Sequence, residues 1–266
     1  MNGGAAVEEL GTCLREEMSP AGLDAVNADL ARHRDPARRA ARRKLWTFYP
    51  DEGPLRRELY PKHLEYFRLG ATCKERLMLA ANRIGKTEGI GGYETTLHLT
   101  GLYPHWWEGR RFDKPIQAWA VGRTAATTRD ILQAKLCGPV AFEGGRKTVA
   151  GTGLIPGDLV RDVSWKRGIA DAVDVIRVRH ASGGYSTLGF KSFEQGRGAF
   201  EGTERDLVWL DEEPPMEVYV ECLVRTMTTD GLVMLTFTPL NGMTELVRAF
   251  LEEGESGQGD RESNVG

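Results

Sequence analysis

The chain has 266 residues, 41% of them hydrophobic, which is enough for one α/β domain with appendages and a sizeable core. Its formal net charge of −3 excludes any argument for nucleic-acid binding from overall charge. The four cysteines are widely spaced, a pattern that indicates neither a zinc site nor a disulfide framework. There is no signal peptide and no long apolar span, so we expect a protein of a reducing cytoplasm that is not secreted and has no membrane partner.

The N-terminal region is basic. Residues 31–44 carry seven Arg or Lys against one Asp. We predict a helical N-terminal arm over residues 1–45, followed by one domain over residues 46–250. The positive charge of the arm would neutralise phosphates or dock an acidic partner, and a solvated helix face is the alternative interpretation.

A phosphate-binding loop is predicted by residues 77–87, LMLAANRIGKT, an apolar run that ends in a near match to GxxxxGK[ST]. Backbone N–H groups of such a loop turn toward a phosphate, and the following helix, near residues 86–100, adds the positive end of its dipole. Lys86 would reach the β- and γ-phosphates, and the Thr87 hydroxyl would bind Mg²⁺. The residues predicted to contact the nucleotide are Ala81, Asn82, Arg83, Ile84, Gly85, Lys86, Thr87 and Glu88.

One residue departs from the loop pattern. The first glycine is replaced by Ala80, which fits only if its φ angle is negative. An ordinary surface helix that begins after a turn at Gly85 is the alternative interpretation of the segment.

The middle of the chain predicts a strand near residues 116–121 and a helix near 124–137. Further on, residues 174–179 and 185–191 flank Ser-Gly-Gly, which predicts a β-hairpin at the edge of the sheet.

A second apolar run, residues 207–213 with the sequence LVWLDEE, ends in adjacent carboxylates. At the end of a buried strand, Asp211 would hold the same Mg²⁺, and Glu212 would orient or deprotonate the attacking water. Carboxylates also favour the start of the next helix, predicted near residues 214–228, so the pair has a structural explanation as well. The two runs together predict a domain that binds and hydrolyses a nucleoside triphosphate with Mg²⁺.

The C-terminal part begins with residues 232–242, LVMLTFTPLNG, which predict a strand over 232–237 that ends in hydroxyls, a proline and a turn. A helix is expected near 243–252, and residues 251–266 are predicted to form a disordered tail because they offer almost nothing to bury.

The repeated order of strand and helix defines the predicted fold class. We expect an α/β protein, a three-layer P-loop NTPase with a mainly parallel central sheet, an edge hairpin and a helical N-terminal arm. The site should lie at the C-terminal ends of the strands.

In the order of these motifs, the chain resembles the ATPase domain of the large terminase subunit of tailed bacteriophages, the motor that packages DNA into a procapsid. That family has a deviant phosphate loop with an arginine, a strand that ends in Asp-Glu, and a Thr-x-Thr-Pro coupling motif. The segments FEGTERDLVWLDEEPP and GLVMLTFTPLNGMTELV carry the resemblance, which extends from about residue 46 to residue 250. The resemblance implies an ATP-hydrolysing motor domain that translocates double-stranded DNA in the host cell cytoplasm.

The resemblance also implies roles for single residues. Arg83 lies where the family has an arginine that senses or stabilises the γ-phosphate, shifted by one residue from many members, and a solvent-facing arginine is the alternative. Thr236 and Thr238 would be the coupling element, although both are also good strand formers. His63, within residues 60–67, lies where other members often have an adenine-side glutamine, and a helix start that only packs apolar side chains is the alternative.

A departure from the family concerns the arginine that is supplied in trans. Members often have Arg-Gly shortly before the acidic strand, where this chain has Glu201-Gly202. Arg197, in a glycine-rich stretch, is the predicted substitute, and a solvated surface arginine is the alternative. The predicted catalytic residues are therefore Glu212, Lys86, Arg83 and Arg197.

Partners are implied by the resemblance as well: double-stranded DNA, the viral portal and the small terminase subunit, with a homo-oligomeric ring on the portal and a monomer in isolation. Large terminases usually continue into a nuclease domain, and we expect no DNA cleavage by this polypeptide, the nuclease being a separate domain or subunit. Two alternatives stay open, a helicase-like or DNA-remodelling ATPase and a nucleotide-binding assembly module without efficient hydrolysis.

Overall fold

The computed structural model describes residues 43–81 and 84–252. Most of the predicted arm and tail, together with Asn82 and Arg83 of the phosphate loop, lies outside the described residues. The last residues of the predicted arm pack on the domain, because Leu45 is fully buried in an aromatic core and Arg43 donates a hydrogen bond of 2.6 Å to Asp158.

The described residues form nine strands, and seven of them share one sheet. The strands are β1 (Glu75–Leu79), β2 (Gln117–Gly122), β3 (Val140–Glu143), β4 (Arg146–Val149), β5 (Val160–Trp165), β6 (Val173–Arg179), β7 (Tyr185–Ser192), β8 (Leu207–Asp211) and β9 (Leu232–Phe237). The order in the large sheet is β1-β9-β8-β2-β7-β6-β5, and β3 pairs with β4 apart from it.

The helices follow the strands as the sequence predicts. They are α1 (Pro61–Leu69), α2 (Tyr93–Thr100), α3 (Ala125–Thr127), α4 (Ala134–Cys137) and α5 (Met216–Met227), with a further helix over residues 245–252. Two π-helical segments, Lys86–Gly92 and Thr128–Gln133, run directly into α2 and α4. Within the described segments, no helix combines the length and the apolar character needed to cross a membrane.

The central sheet is mainly parallel, which confirms the predicted α/β class. β1, β9, β8, β2 and β7 are parallel neighbours, and β6 and β5 continue the sheet in antiparallel pairing. The predicted hairpin is present as β6 and β7. Its predicted place at the edge is wrong, because β5 pairs outside β6 and β7 joins the parallel strands.

Alternate residues of the central strands enter two separate cores, as the period of a strand requires. On β8, Leu207 and Trp209 pack in the core on the side of α2 and α4, whereas Val208 and Leu210 pack in the core on the side of α5. All four side chains are fully buried. The sheet is therefore covered by apolar packing on both faces at β8, which produces three layers.

A buried ion pair joins β1 to α2, the elements on either side of the phosphate loop. Arg76 donates to both carboxylate oxygens of Glu94 at 3.2 and 2.7 Å, and to the backbone carbonyl of Tyr66 at 2.7 Å. His98 lies 3.1 Å from the same carboxylate. Burial raises the pKa of Glu94, but Arg76 and His98 outweigh it and hold that pKa below its usual range.

We predict that Glu94→Gln lowers the free energy of unfolding by about 3–5 kcal/mol, because it leaves the buried Arg76 guanidinium without a counter-charge. The control is Glu65→Gln, which removes an exposed pair with Lys62 and should change stability by about 0.5 kcal/mol or less. Urea unfolding of both variants measures the difference, and equal stabilities would contradict the structural role of the buried pair.

Candidate functional site

The phosphate loop ends in a left-handed turn. Gly85 has φ 89° and ψ 11°, a conformation that favours glycine, and its carbonyl accepts from Gly89 N–H at 2.7 Å at the start of the helical run. Ala80 has no positive φ angle, as an alanine at that position requires. The first N–H groups of a helix have no acceptor within the helix, so this end can receive an anion.

The Lys86 side chain is folded back onto the loop. Its ammonium donates to the carbonyls of Ala80 and Ala81, both at 2.6 Å, and to the Thr238 hydroxyl at 2.8 Å. Burial lowers the pKa of Lys86, and the carboxylates of Asp211 and Glu212 oppose that shift. An ammonium has three donors, so binding of a phosphate must displace at least one of these contacts.

Asp211 joins the loop helix to β9. Its carboxylate accepts from the Thr87 hydroxyl at 3.1 Å and from the Thr236 hydroxyl at 2.8 Å. Trp209 Nε1–H donates to the Thr236 oxygen at 2.8 Å, which leaves the hydroxyl proton directed at Asp211. Burial raises the pKa of Asp211 to about 6, although both threonine hydrogen bonds lower it.

The oxygen atoms of Thr87 and Asp211 fit a magnesium ion. Mg²⁺ prefers oxygen ligands and usually keeps several waters, so one hydroxyl and one carboxylate are a sufficient protein contribution. Their direct hydrogen bond brings the two oxygen donors together without any nitrogen or sulfur ligand. The predicted metal ligands therefore lie side by side in the fold.

The two glutamates after Asp211 have different environments. Glu212 is exposed in the same cleft as Lys86, and its φ of 101° is a strained conformation for a residue with a side chain. Its backbone N–H donates to the Thr236 carbonyl at 3.2 Å. Glu213 is turned away and accepts from Asn241 at 3.2 Å and from Thr244.

Two adjoining cavities meet at Gly85 and Glu88. The first is the cleft that contains Lys86 and Glu212, which we call the phosphate cleft, and its volume is about 350 Å³. The second cavity has a volume of about 760 Å³. The larger one falls within the range of small-molecule sites and is lined mainly by aromatic and aliphatic side chains. Its principal walls are Phe48, Tyr49, Leu55, Leu59, Tyr60, His63 and Ile84.

His63 is fixed on the wall of the larger cavity. The Tyr49 hydroxyl donates to the Gly89 carbonyl at 2.7 Å, so its oxygen accepts from His63 Nδ1 at 2.8 Å. Burial lowers the pKa of His63, and a hydrogen bond with the Ile84 backbone opposes that shift. Tyr49 was not predicted from the sequence, since no motif relates it to His63.

Glu88 forms ion pairs with two lysines, and no motif in the sequence predicts them. Lys135 on α4 lies 3.0 Å from one carboxylate oxygen, and Lys44 contacts the other. Burial raises the pKa of Glu88, but the two lysines outweigh it and hold that pKa below its usual range. Lys135 also lines the phosphate cleft, where it adds a second positive side chain near Lys86.

Arg197 does not lie near the other predicted catalytic residues of the same chain. It begins the short 3₁₀ turn Arg197–Phe200, and its Nε lies 3.1 Å from Glu221 and 3.7 Å from Glu201. It lines neither of the two cavities at Gly85. Its predicted role in trans therefore stays a prediction.

Two known groups of proteins match this chain in sequence. Residues 77–264 match the family described as "Terminase large subunit, T4likevirus-type, N-terminal". The terminase large subunit of Salmonella phage P22 is 35% identical over 218 residues, covering 75% of this chain and 42% of that protein. The chain thus spans less than half the length of this curated relative.

A solved structure also resembles the chain. It is the large terminase from a thermophilic bacteriophage in complex with ADP, with 14% identity and a TM-score of 0.42 over 66% of this chain and 37% of that one. A likeness this weak establishes no shared fold.

We predict that Gly91→Ala lowers the free energy of unfolding by about 1–3 kcal/mol, because the new Cβ would lie 2.1 Å from the fully buried Trp209 indole. The same overpacking should push Trp209 away from Thr236 and weaken nucleotide binding. Gly198→Ala is the matched control, since its Cβ would meet nothing within 4 Å. Thermal unfolding and nucleotide titration test both, and a silent Gly91→Ala would disprove the close packing.

Proposed function

Because this chain belongs to the large terminase subunit family, we propose that it is an ATP-hydrolysing motor domain that powers translocation of double-stranded DNA into a procapsid. The proposed ATPase activity is supported by one observation. A single cleft brings together the side chains of Lys86, Thr87, Asp211 and Thr238. These residues come from three distant parts of the chain, and their functional groups match the needs of nucleotide phosphates and Mg²⁺.

The sheet order supports the P-loop NTPase class within this proposal. β1 delivers the phosphate loop, β8 delivers the acidic residues, and β9 lies between them. The C-terminal ends of these parallel strands share one edge, where a strand-to-helix turn can present N–H groups to a ligand. Thr236 of β9 pairs in register with Asp211 of β8, so the coupling segment borders the acidic pair.

One bound nucleotide would occupy both cavities. The phosphates would lie in the cleft against the loop N–H groups and Lys86, and the adenine would lie in the larger cavity beside His63 and Tyr60. Thr87 and Asp211 would hold Mg²⁺, which neutralises charge on the phosphates. Glu212 would orient the attacking water and accept its proton.

Coupling would follow from the contacts of Lys86. Its ammonium holds Thr238, and the Thr238 hydroxyl donates to the Ala80 carbonyl at 2.9 Å. When Lys86 turns toward a phosphate, the link between the loop and β9 must rearrange. The end of β9 can thereby respond to whether the cleft is filled.

The partners belong to the same proposal. The chain would work in the host cell cytoplasm with the viral portal and the small terminase subunit, as a ring in which Arg197 reaches a neighbouring site. ATP turnover with and without DNA separates this motor from an assembly module that only binds nucleotide.

We predict that Lys86→Ala abolishes nucleotide-dependent activity and weakens ATP binding, because it removes the charge that reaches the β- and γ-phosphates. Phosphate release and ATP titration are the measurements. Lys74→Ala removes an exposed lysine outside both cavities and should behave as wild type. Wild-type turnover in Lys86→Ala would refute the assignment of the phosphate loop.

We predict that Glu212→Gln retains ATP binding while hydrolysis falls by about two orders of magnitude or more, since the side chain keeps its size but loses its basic carboxylate. Single-turnover hydrolysis and equilibrium binding are measured together. Glu217→Gln, an exposed change on α5, is the control. An equal loss of binding in Glu212→Gln would mean that Glu212 has a structural role.

A further inference from the structure

One face of the sheet carries cations over β6 and β7. Burial alternates along β7, with Tyr185, Thr187, Gly189 and Lys191 more exposed than the residues between them. Gly189 pairs in register with Trp119 of β2, and a Cβ at Gly189 would lie 3.0 Å from the Trp119 ring. The Trp119 indole and the Lys191 side chain therefore project from the same face.

On this face Trp119 is buried with Phe200, whereas the side chains of β6 are less covered. The core that packs against β6 and β7 uses Leu188, Phe190 and Ile176, which point to the opposite face together with α2 and α4. On the exposed face, α5 packs against β8 and β9 instead. Arg177 and Arg179 of β6 are exposed there, on residues that pair with Thr187 and Tyr185.

Two cations border this face around the Trp119 ring. Lys191 Nζ lies 4.8 Å and Arg205 Cζ 4.2 Å from the centroid of that ring. Lys191 donates to the Ala199 carbonyl at 2.6 Å, and Arg205 donates to the Gln117 side chain at 3.2 Å and to the Glu204 carbonyl. Within the described residues, neither forms an ion pair.

The electrostatics indicate mutual repulsion. Burial lowers the pKa of Lys191, and the positive charges of Arg205 and Lys166 lower it further. Burial also lowers the pKa of Lys166, against the opposing effect of Asp174. Cations that are partly desolvated and repel one another are stabilised when an anion approaches them.

The charges extend across the neighbouring strands. Arg177 lies 5.1 Å from the Tyr185 ring centroid and 3.5 Å from Asp162. Five positive side chains make up what we call the cationic face, and they are Lys166, Arg177, Arg179, Lys191 and Arg205. The carboxylates that oppose them are Asp162, Asp174, Glu194 and Asp206. Such a spread over β6, β7 and the segments next to β5 and β8 suits an extended polyanion better than a single small anion.

We propose that the cationic face binds the phosphate backbone of duplex DNA. The choice of duplex DNA rests on the proposed function, and the charge complementarity rests on the residues above. The contacts would be independent of base sequence, because contacts of lysine and arginine with phosphates carry no sequence information. Arg205 lies just before β8, the strand that ends at Asp211, so this contact would adjoin the strand of the hydrolytic site.

The test compares Lys191→Gln/Arg205→Gln with wild type, using fluorescence anisotropy of a labelled duplex of about 30 base pairs over a range of salt concentrations. Loss of two phosphate contacts should weaken binding at least about tenfold and reduce the slope of log affinity against log salt by about 2. Arg68→Gln/Lys74→Gln removes the same charge from exposed positions elsewhere and should leave affinity nearly unchanged. ATP binding should be the same in all three proteins.

A second double variant keeps the proposal testable if the first one fails to fold. Arg177→Gln/Arg179→Gln changes only exposed side chains of β6 and should also weaken DNA binding and lower the salt slope. Equal DNA binding by both variants and the control would overturn the proposal. It would also be overturned if the variants abolished self-association of the protein and left DNA binding unchanged. If wild type fails to hydrolyse ATP but binds DNA through this face, the proposed motor function fails and the DNA surface stands.

Discussion

The buried carboxylate of Asp211 is the constraint on which the site depends. It receives hydroxyl hydrogen bonds from Thr87, at the start of the loop helix, and from Thr236, on β9. A buried carboxylate costs free energy unless such donors surround it, and burial still raises the pKa of Asp211 to about 6. A fold selected for stability alone would place an apolar residue there, and the arrangement agrees with the proposed Mg²⁺ site. Trp209 completes it by fixing the direction of the Thr236 hydroxyl.

Around this carboxylate, the loop and the coupling segment are joined by contacts that a ligand can exchange. Lys86 directs its three donors to Ala80, Ala81 and Thr238, all of which are weaker acceptors than a phosphate oxygen. On the other side of Glu212, Glu213 holds the turn after Thr238 through Asn241 and Thr244. The strained backbone of Glu212 thus lies between Asp211 and Glu213, and both of these residues contact β9 or the turn that follows it. A change in the contacts of Lys86 would therefore alter a contact of the short stretch of chain that follows β9.

The parts of the fold that the sequence predicts are those with local, uninterrupted apolar signals. The four apolar runs became parallel strands, and because such strands end at one edge, the meeting of Thr87 with Asp211 followed from the pattern. β5 was not predicted, since VRDVSW is polar and half exposed and resembles a loop. The lysines on Glu88 and the Tyr49 contact to His63 depend on long-range packing, which no spacing in the sequence encodes. The hairpin was recognised from its turn, but its place in the sheet depends on the partner β5.

The segment that carries Arg197 connects the cationic face to the proposed interface between subunits. Lys191 binds the Ala199 carbonyl, two residues after Arg197, so the same short turn borders the Trp119 cluster. Arg197 pairs with the buried carboxylate of Glu221 and, at longer range, with the exposed Glu201. The exposed pair with Glu201 contributes about 0–1 kcal/mol. Glu221 keeps Arg225 as a partner at 3.0 Å when Arg197 leaves. If Arg197 turned toward a neighbouring phosphate, as proposed, Glu221 would therefore keep a counter-charge. An anion that engages Lys191 would act on the anchor of the same turn.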